Sequence, residues 1–140
     1  ERSRFSEEVL QMIHYIEKTT ADAERLTLVL AFNYSSRREI TLGVQDIARR
    51  VANGTLKAED INEQTIAESL MTAQMPDPDM IIRTSGECRL SNFLLWQSSY
   101  AEFYFPETLW PDFTEEEFDK AIEVFSKRDR RYGLVTETKE

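Results

Sequence analysis

A nearly continuous apolar run at residues 26–32, Leu-Thr-Leu-Val-Leu-Ala-Phe, is the sequence feature that most constrains the fold. The run is rich in strand-forming side chains and does not alternate between apolar and polar positions. Such a pattern suits a β-strand that is covered on both faces, as the strands of parallel sheets are. It is far shorter than the roughly 20 apolar residues that cross a bilayer, so we expect neither a membrane span nor a secretory leader. The run predicts a buried strand of a parallel sheet.

Three later segments carry the signals that open helices. Ser36 with Glu39, and Thr114 with Glu117, have the spacing of capping boxes, and Asn62 is a favourable N-cap. Apolar residues at helical spacing follow each start, and near the beginning of the sequence they predict one more helix. On the last helix we expect four side chains to face the core: Phe118, Ala121, Ile122 and Phe125.

Two shorter apolar segments, residues 80–82 and 103–105, predict further strands. Strands that alternate with helices indicate an α/β fold, here a mostly parallel sheet flanked by helices. No repeat or linker divides the sequence, so we expect residues 1–140 to belong to a single domain. In such sheets ligands bind beyond the carboxyl ends of the strands. The turns at residues 33–39 and 83–91 are therefore the candidate sites.

Charge and cysteine content narrow the kinds of partner. The 17 basic and 26 acidic side chains give a formal net charge of −9. Binding to the nucleic-acid backbone needs many clustered basic residues, so we expect no nucleic-acid partner. Cys88 is the only cysteine, which excludes an internal disulfide and a cysteine zinc site and fits a reducing compartment. Any anion must be bound by a local group of residues.

The turn after the second predicted strand concentrates such residues. It offers two guanidinium groups, three hydroxyl groups and a flexible glycine: Arg83, Arg89, Thr84, Ser85, Ser91 and Gly86. Guanidinium forks match phosphate oxygens, and hydroxyls add donors. We also expect Ser91 to open a short helix through residues 92–94, whose free amides would favour an anion. Two interpretations remain open: a phosphate or diphosphate cradle, or a solvated loop whose arginines pair with acids such as Glu87.

Residues 76–113 read PDPDMIIRTSGECRLSNFLLWQSSYAEFYFPETLWPDF. This segment resembles the signature of the cis-prenyltransferases, the family of undecaprenyl diphosphate synthase, almost residue for residue. The resemblance extends back through residues 30–40 and forward through residues 128–133, and it departs from the family at Ser35 and Ser36, where the family usually has two glycines. It implies a cis-prenyltransferase-like fold and the condensation of isopentenyl diphosphate with an allylic diphosphate, such as farnesyl diphosphate. The expected product is a cis-polyprenyl diphosphate, undecaprenyl diphosphate above all.

The resemblance also assigns roles to single residues. Arg83, Arg89 and Ser91, with the backbone at Leu90, are expected to clamp isopentenyl diphosphate. The family uses Mg²⁺ as its cofactor, and Glu102 is expected to be a ligand of that ion. A single glutamate suits this role because Mg²⁺ takes one or two carboxylates together with phosphate oxygens and waters. The resemblance gives no residue of this sequence a catalytic role.

An Arg-x-Gly element of the family reaches the active site of the partner subunit, and Arg131 and Gly133 match it. The resemblance therefore implies a homodimer in which these two residues contact the site across the interface. Because the expected product is a lipid, we expect a cytoplasmic enzyme that works near the inner face of a membrane and associates with it peripherally.

Two motifs of the family have no counterpart in this sequence. One is a His-Gly-Asn-x-Arg-Trp-like segment that holds Mg²⁺ and the allylic diphosphate, and the other is the asparagine and arginine motif that follows it. We therefore expect the sequence to be the C-terminal part of a synthase, and to be inactive alone. The alternatives are a non-catalytic subunit of a heteromeric prenyltransferase and a diphosphate-binding module without chemistry.

Overall fold

The computed structural model describes residues 2–128 of the 140-residue sequence. Its α-helices are Glu7–Thr19 (α1), Ser36–Ala52 (α2), Glu63–Glu68 (α3) and Glu115–Ser126 (α4). Its β-strands are Met80–Ile82 (β1) and Glu102–Tyr104 (β2), and short 3₁₀ turns occur at Arg2–Arg4, Ala58–Asp60, Gln97–Tyr100 and Trp110–Asp112. Within residues 2–128, none of the helices combines the length and the apolar character that crossing a bilayer requires.

The two strands form a parallel pair. Their register places Met80 opposite Glu102 and Ile82 opposite Tyr104. The Arg83 amide extends the pair by donating to the Tyr104 carbonyl at 3.0 Å. The parallel pairing and the flanking helices confirm the predicted α/β class, although β2 begins one residue earlier than the sequence predicts. Arg83 is thus the first residue beyond the carboxyl end of β1.

The buried apolar side chains within residues 2–128 come from α2, the end of α3, β1 and α4: Ile47, Leu70, Ile81 and Ala121. Helices α2 and α3 pack closely at Gly43, where an added Cβ would lie 3.1 Å from the Ser69 carbonyl oxygen. That distance is shorter than ordinary van der Waals contact, so the missing side chain fixes how near α3 can approach α2. The middle of α2 is thereby packed against Ser69, the C-cap residue of α3.

The predicted helix starts are confirmed to within one residue, since the N-cap of α2 is Ser35, but two of the predicted capping interactions are wrong. Asn62 is the N-cap of α3, as predicted, and its side chain accepts from the Thr65 amide at 3.0 Å. Ser36 is the first residue of α2 and forms no capping box with Glu39. The physical reason is that the Glu39 carboxylate is buried and bonds to side chains from elsewhere, which a local pattern does not reveal.

Helix α4 differs from its predicted form in a similar way. Thr114 is its N-cap but makes no side-chain cap bond, and Glu117 accepts from Lys120 and, at 3.1 Å, from Thr108. Of the side chains predicted to face the core, Ala121 is fully buried, whereas two of the larger ones are about half exposed: Phe118 and Ile122. The expected inward face of α4 is therefore confirmed at Ala121 and wrong at Phe118 and Ile122, while Phe125 is half-buried.

The predicted strand at residues 26–32 is also wrong, because this segment is irregular in the structure. The strand pairing among residues 2–128 joins β1 to β2, so the segment has no strand beside it. Its apolar side chains point into solvent, with Leu26 80% and Leu28 75% exposed. An apolar run forms a strand only where a neighbouring strand pairs with its backbone, and no such strand lies beside this segment within the described residues.

Candidate functional site

The candidate site is the turn that leaves the carboxyl end of β1. Two amides fix this turn to the segment that follows β2: Ser85 donates to the Thr108 carbonyl at 2.8 Å, and Gly86 to the Pro106 carbonyl at 2.9 Å. Gly86 has a φ of 64° and Ser85 a φ of 70°. Both lie in the left-handed region, which is costly for serine and free for glycine. The backbone of the turn is therefore held in place by its neighbours.

The Arg83 side chain crosses the turn and joins its two ends. Its Nη1 atom donates to the Ser91 hydroxyl at 3.0 Å and to the Arg89 carbonyl. Arg83, Arg89 and Leu90 also line one cavity of about 240 Å³, whose other walls are apolar: Ile81, Ile82, Phe93 and Phe105. The structure thus brings the four residues of the expected clamp together at one place.

Arg89 forms an ion pair with Glu87, a contact that the second interpretation of this turn anticipated. The pair is solvated, because the two side chains are 64% and 36% exposed. Ion pairs of this kind contribute only about 0–1 kcal/mol. An anion with two charges could therefore displace Glu87 from the guanidinium, so the pair is compatible with a binding role for Arg89.

The short helix predicted to follow Ser91 does not form. Three non-glycine residues in this turn have a left-handed backbone instead: φ is 46° at Ser91, 65° at Asn92 and 45° at Leu94. A helix needs a run of right-handed residues, so this segment offers no helix N-terminus to an anion. Donors for an anion must come from the guanidinium groups, the Ser91 hydroxyl and single backbone amides.

The start of α2 holds the turn from behind through four hydrogen bonds. The Ser36 amide donates to the Asn92 carbonyl at 2.9 Å, and the Arg37 amide to the Asn92 Oδ1 atom at 2.8 Å. In return, the Asn92 Nδ2 atom donates to the Ser35 hydroxyl at 2.7 Å, and the Leu95 amide to the Ser36 hydroxyl at 2.9 Å. Asn92 thus caps α2 from a distant part of the chain.

Sequence reasoning missed this role of Asn92. It placed the residue inside a helix, because the local pattern follows a plausible N-cap. The signal that could have corrected it is the residue type, since asparagine tolerates the left-handed region and its side chain imitates a backbone amide.

A buried polar network lies beside the same turn. The Glu39 carboxylate, 1% exposed, accepts from the Tyr34 hydroxyl at 2.6 Å and from the Gln97 Nε2 atom at 3.0 Å. Gln97 also donates to the Thr72 hydroxyl at 2.6 Å. Burial, and next the hydrogen bond to Glu39, raise the pKa of Tyr34 to about 12. The network joins Glu39 of α2 to Gln97, which begins the 3₁₀ turn before β2, and through Gln97 to Thr72, in the segment before β1.

Glu102 stands apart from this cluster. It begins β2 opposite Met80, whereas Arg83 follows the other end of the pair, about 10 Å further along the strands. One oxygen of its carboxylate accepts from Arg128 at 2.6 Å. In the part of the chain that the structure describes, no three acidic, histidine or cysteine side chains gather as a metal site. The two residues expected to reach the partner subunit's site across a dimer interface, Arg131 and Gly133, lie outside the described residues.

A single carboxylate is a donor set that Mg²⁺ accepts when phosphate oxygens and waters supply the remaining ligands. Glu102 fits that role in its chemistry, since a hard cation prefers a carboxylate oxygen. Its ion pair with Arg128, with side chains 23% and 43% exposed, is solvated enough to open at small cost.

Comparisons with known proteins place this geometry in context. A family model described as putative undecaprenyl diphosphate synthase matches residues 1–133. An isoprenyl transferase from Agrobacterium fabrum is 50% identical over 137 residues, which are 98% of this chain and 56% of that protein. A ditrans,polycis-undecaprenyl-diphosphate synthase specific for (2E,6E)-farnesyl diphosphate, from Vibrio vulnificus, is 47% identical over 96% of this chain and 54% of its own length. The chain therefore spans about half the length of these relatives.

Solved structures give the same picture. Lavandulyl diphosphate synthase from Lavandula x intermedia, in complex with dimethylallyl diphosphate, superposes with a TM-score of 0.91 and 37% identity, over 96% of this chain and 58% of that one. A probable undecaprenyl diphosphate synthase from Campylobacter jejuni gives a TM-score of 0.78 at 37% identity, over 96% of this chain and 60% of the other. Both similarities extend over nearly all of the chain.

Proposed function

The chain belongs to the undecaprenyl diphosphate synthase family of cis-prenyltransferases, and from this premise we propose that the protein carrying it elongates prenyl chains. The substrates are isopentenyl diphosphate and an allylic diphosphate such as farnesyl diphosphate, and the product is a cis-polyprenyl diphosphate, undecaprenyl diphosphate in particular. A carbon–carbon bond forms between the substrates as the allylic carbon–oxygen bond breaks, diphosphate leaves, and the isopentenyl unit loses a proton. The observation that carries the proposal is the grouping of Arg83, Arg89 and Ser91 beyond the end of β1.

These residues bind the diphosphate of isopentenyl diphosphate. Arg83 and Arg89 face one cavity, and their guanidinium groups donate to phosphate oxygens in the planar geometry that such oxygens match. Ser91 adds a hydroxyl donor, and Leu90 a backbone amide. The apolar walls of the cavity suit the five-carbon part of the substrate. The clamp binds and orients, and the chemistry of bond formation uses groups outside these four residues.

Mg²⁺ belongs to the same proposal, with Glu102 as the residue that would hold it. When bound, the cation supplies positive charge that neutralises diphosphate oxygens. Glu102 would open its contact with Arg128 in doing so.

The protein acts as a homodimer in this proposal, and Arg131 and Gly133 reach the site of the partner subunit. We propose that the enzyme works in the cytoplasm at the inner face of a membrane, with which it associates peripherally, because its expected product is a lipid. The support for these points is the family to which the chain belongs, together with the apolar nature of the product.

Calorimetric titration of the full-length protein that carries this sequence tests the clamp. Isopentenyl diphosphate should bind with Mg²⁺ present, and Arg89→Ala should bind it roughly 10- to 100-fold more weakly, because charge-assisted hydrogen bonds contribute about 1.5–3 kcal/mol each. Arg49→Ala is the matched control, since Arg49 is also exposed and paired with an acid, Asp46. Equal affinity for isopentenyl diphosphate and inorganic phosphate would contradict the proposal and favour a plain anion-binding module.

A product assay tests the reaction itself. The full-length protein, supplied with farnesyl diphosphate, isopentenyl diphosphate and Mg²⁺, should release diphosphate and form longer prenyl diphosphates. The 140-residue chain alone should form none, because it lacks the motifs expected to hold the allylic diphosphate. Absence of product from the full-length protein would instead support a non-catalytic subunit.

A further inference from the structure

The turn at residues 91–94 holds more backbone strain than a free loop would keep. Ser91 and Leu94 have positive φ values of 46° and 45°, and residues with a Cβ disfavour that region by about 1–2 kcal/mol each. Strain of this kind persists only where surrounding contacts determine the conformation more strongly than the local preference does. Something outside the turn must therefore hold it.

The start of α2 is that restraint, and two of its four hydrogen bonds to the turn use serine hydroxyls. Ser36 is completely buried, and its hydroxyl accepts from the Leu95 amide. The Ser35 hydroxyl accepts from the Asn92 side chain. Ser35 is the N-cap of α2, yet its side chain makes no capping bond within the helix. The Ser35 hydroxyl is thus committed to the turn, and the Ser36 hydroxyl bonds both to the turn and to the Tyr34 side chain.

The turn in question ends at the diphosphate clamp. Asn92 directly follows Ser91, whose hydroxyl accepts from Arg83. A shift of Asn92 would therefore move the Ser91 hydroxyl, and with it the guanidinium that is bonded to that hydroxyl. The positions of two clamp residues depend on contacts made by the first residues of α2.

We propose that Ser35 and Ser36 are positioning residues for the diphosphate site, which they serve by holding residues 91–94 in the left-handed conformation that places Ser91 beside Arg83. The proposal deepens the proposed function, on which it rests for the identity of the ligand. It assigns a role to the position at which this sequence departs from the usual glycine pair, since glycine would supply neither hydroxyl. Neither serine touches the substrate or takes part in the chemistry.

Binding of inorganic diphosphate and steady-state kinetics of the full-length protein test the proposal. The double variant Ser35→Ala with Ser36→Ala should bind diphosphate about tenfold more weakly, the effect of losing hydrogen bonds that contribute about 0.5–1.5 kcal/mol each. The KM for isopentenyl diphosphate should rise by a similar factor, with kcat nearly unchanged. Ser35→Thr keeps a hydroxyl and should bind as the wild type does.

Ser69→Ala is the matched control, because the Ser69 hydroxyl bonds to the Thr65 carbonyl of α3 and to the Arg50 side chain of α2, and not to the turn. It should leave the diphosphate affinity unchanged. Should the double variant fold poorly, Ser35→Ala alone serves, since Ser35 is only half-buried and loses one bond. Hydrogen exchange at the Leu95 amide should also accelerate in Ser36→Ala, whether or not a ligand is present.

The outcomes separate the two proposals. A wild-type protein that binds no diphosphate would overturn the proposed function, and the positioning role with it. A wild type that binds diphosphate, with the alanine variants equal to it in affinity and KM, would overturn the positioning role alone. A fall in kcat and stability with an unchanged KM would also overturn it, because that is the pattern of a purely structural contact.

Discussion

The turn at residues 83–95 and the apolar segment at residues 26–32 behave in opposite ways. The turn is polar and irregular, and it contains four non-glycine residues with positive φ, yet bonds from α2 and from the segment after β2 fix it. The apolar segment has the pattern of an ideal buried strand, yet its side chains are largely exposed and no strand lies beside it within residues 2–128.

The difference shows what each kind of pattern needs. Apolar side chains indicate that a segment must be covered, but the covering partner is found elsewhere in the fold. A polar turn carries its own donors and acceptors, and they can be satisfied one by one by groups already present. In this protein the satisfied region is the one that contains the candidate site.

The largest effect should come from removing the centre of the buried network. Glu39→Ala leaves the Tyr34 hydroxyl and the Gln97 amide without their acceptor, and we expect it to lower the free energy of unfolding by about 2–4 kcal/mol. Denaturant unfolding of the two proteins measures the difference. Glu123→Ala, at an exposed glutamate, is the control and should change the free energy of unfolding little. An equal loss of stability in both variants would mean that the buried network around Glu39 does not stabilise the fold more than an exposed side chain does.

Tyr34→Phe should have a smaller effect and one that depends on pH. At neutral pH it removes one hydrogen bond and should cost about 1 kcal/mol. The folded protein holds the Tyr34 proton up to a pKa of about 12, against 10.0 for an ordinary tyrosine, so the wild type should lose stability as the pH rises through this interval. The variant should lose less over the same interval, as unfolding at several pH values would show.

Ultraviolet titration of tyrosinate gives an independent check on the same residue. The wild type and Tyr34→Phe should differ by one group that ionises near pH 12. A difference that titrates near the ordinary value would mean that the network does not bury this hydroxyl in solution.

Leu28→Ala should have a still smaller effect in the 140-residue chain. Leu28 is 75% exposed, so the substitution should change the free energy of unfolding by less than about 0.5 kcal/mol. Ile81→Ala in the buried strand β1 is the comparison, with an expected loss of about 2–4 kcal/mol. The same two substitutions should also be measured in the full-length protein. A large loss of stability for Leu28→Ala there would show that residues outside this 140-residue sequence cover the apolar segment.

Lys127→Gln should have the smallest effect. Lys127 bonds to Glu123 on the exposed face of α4 and lowers the pKa of that carboxyl. The substitution should return the pKa of Glu123 toward its ordinary value, as a pH titration followed by carbon-detected NMR would show. High salt should remove the difference in this pKa between the two proteins. A difference that survives high salt would indicate a buried contact.

The sequence permitted a correct prediction of the elements whose contacts are local or follow a general rule. The Asn62 side chain bonds to an amide three positions further along the chain, and β1 occupies the residues that its apolar pattern predicts, which puts the candidate site beyond its carboxyl end. The roles of Glu39 and Asn92 could not be predicted, because one partner of each, Gln97 for Glu39 and Arg37 for Asn92, lies more than 50 residues away along the chain. Local spacing favoured a capping box and a helix, and tertiary hydrogen bonds overrode both.

The cap that Asn92 places on α2 has a consequence for the order in which the protein assembles. The Arg37 amide and its acceptor are 55 residues apart, so during translation the helix leaves the ribosome long before its first turn can be completed. The amides at the start of α2 gain their acceptors only after the segment that carries Ser91 and Asn92 has been synthesised. Completion of the first turn of α2 and formation of the candidate anion site are therefore one late event, and a nascent chain that ends between Arg37 and Asn92 would have neither.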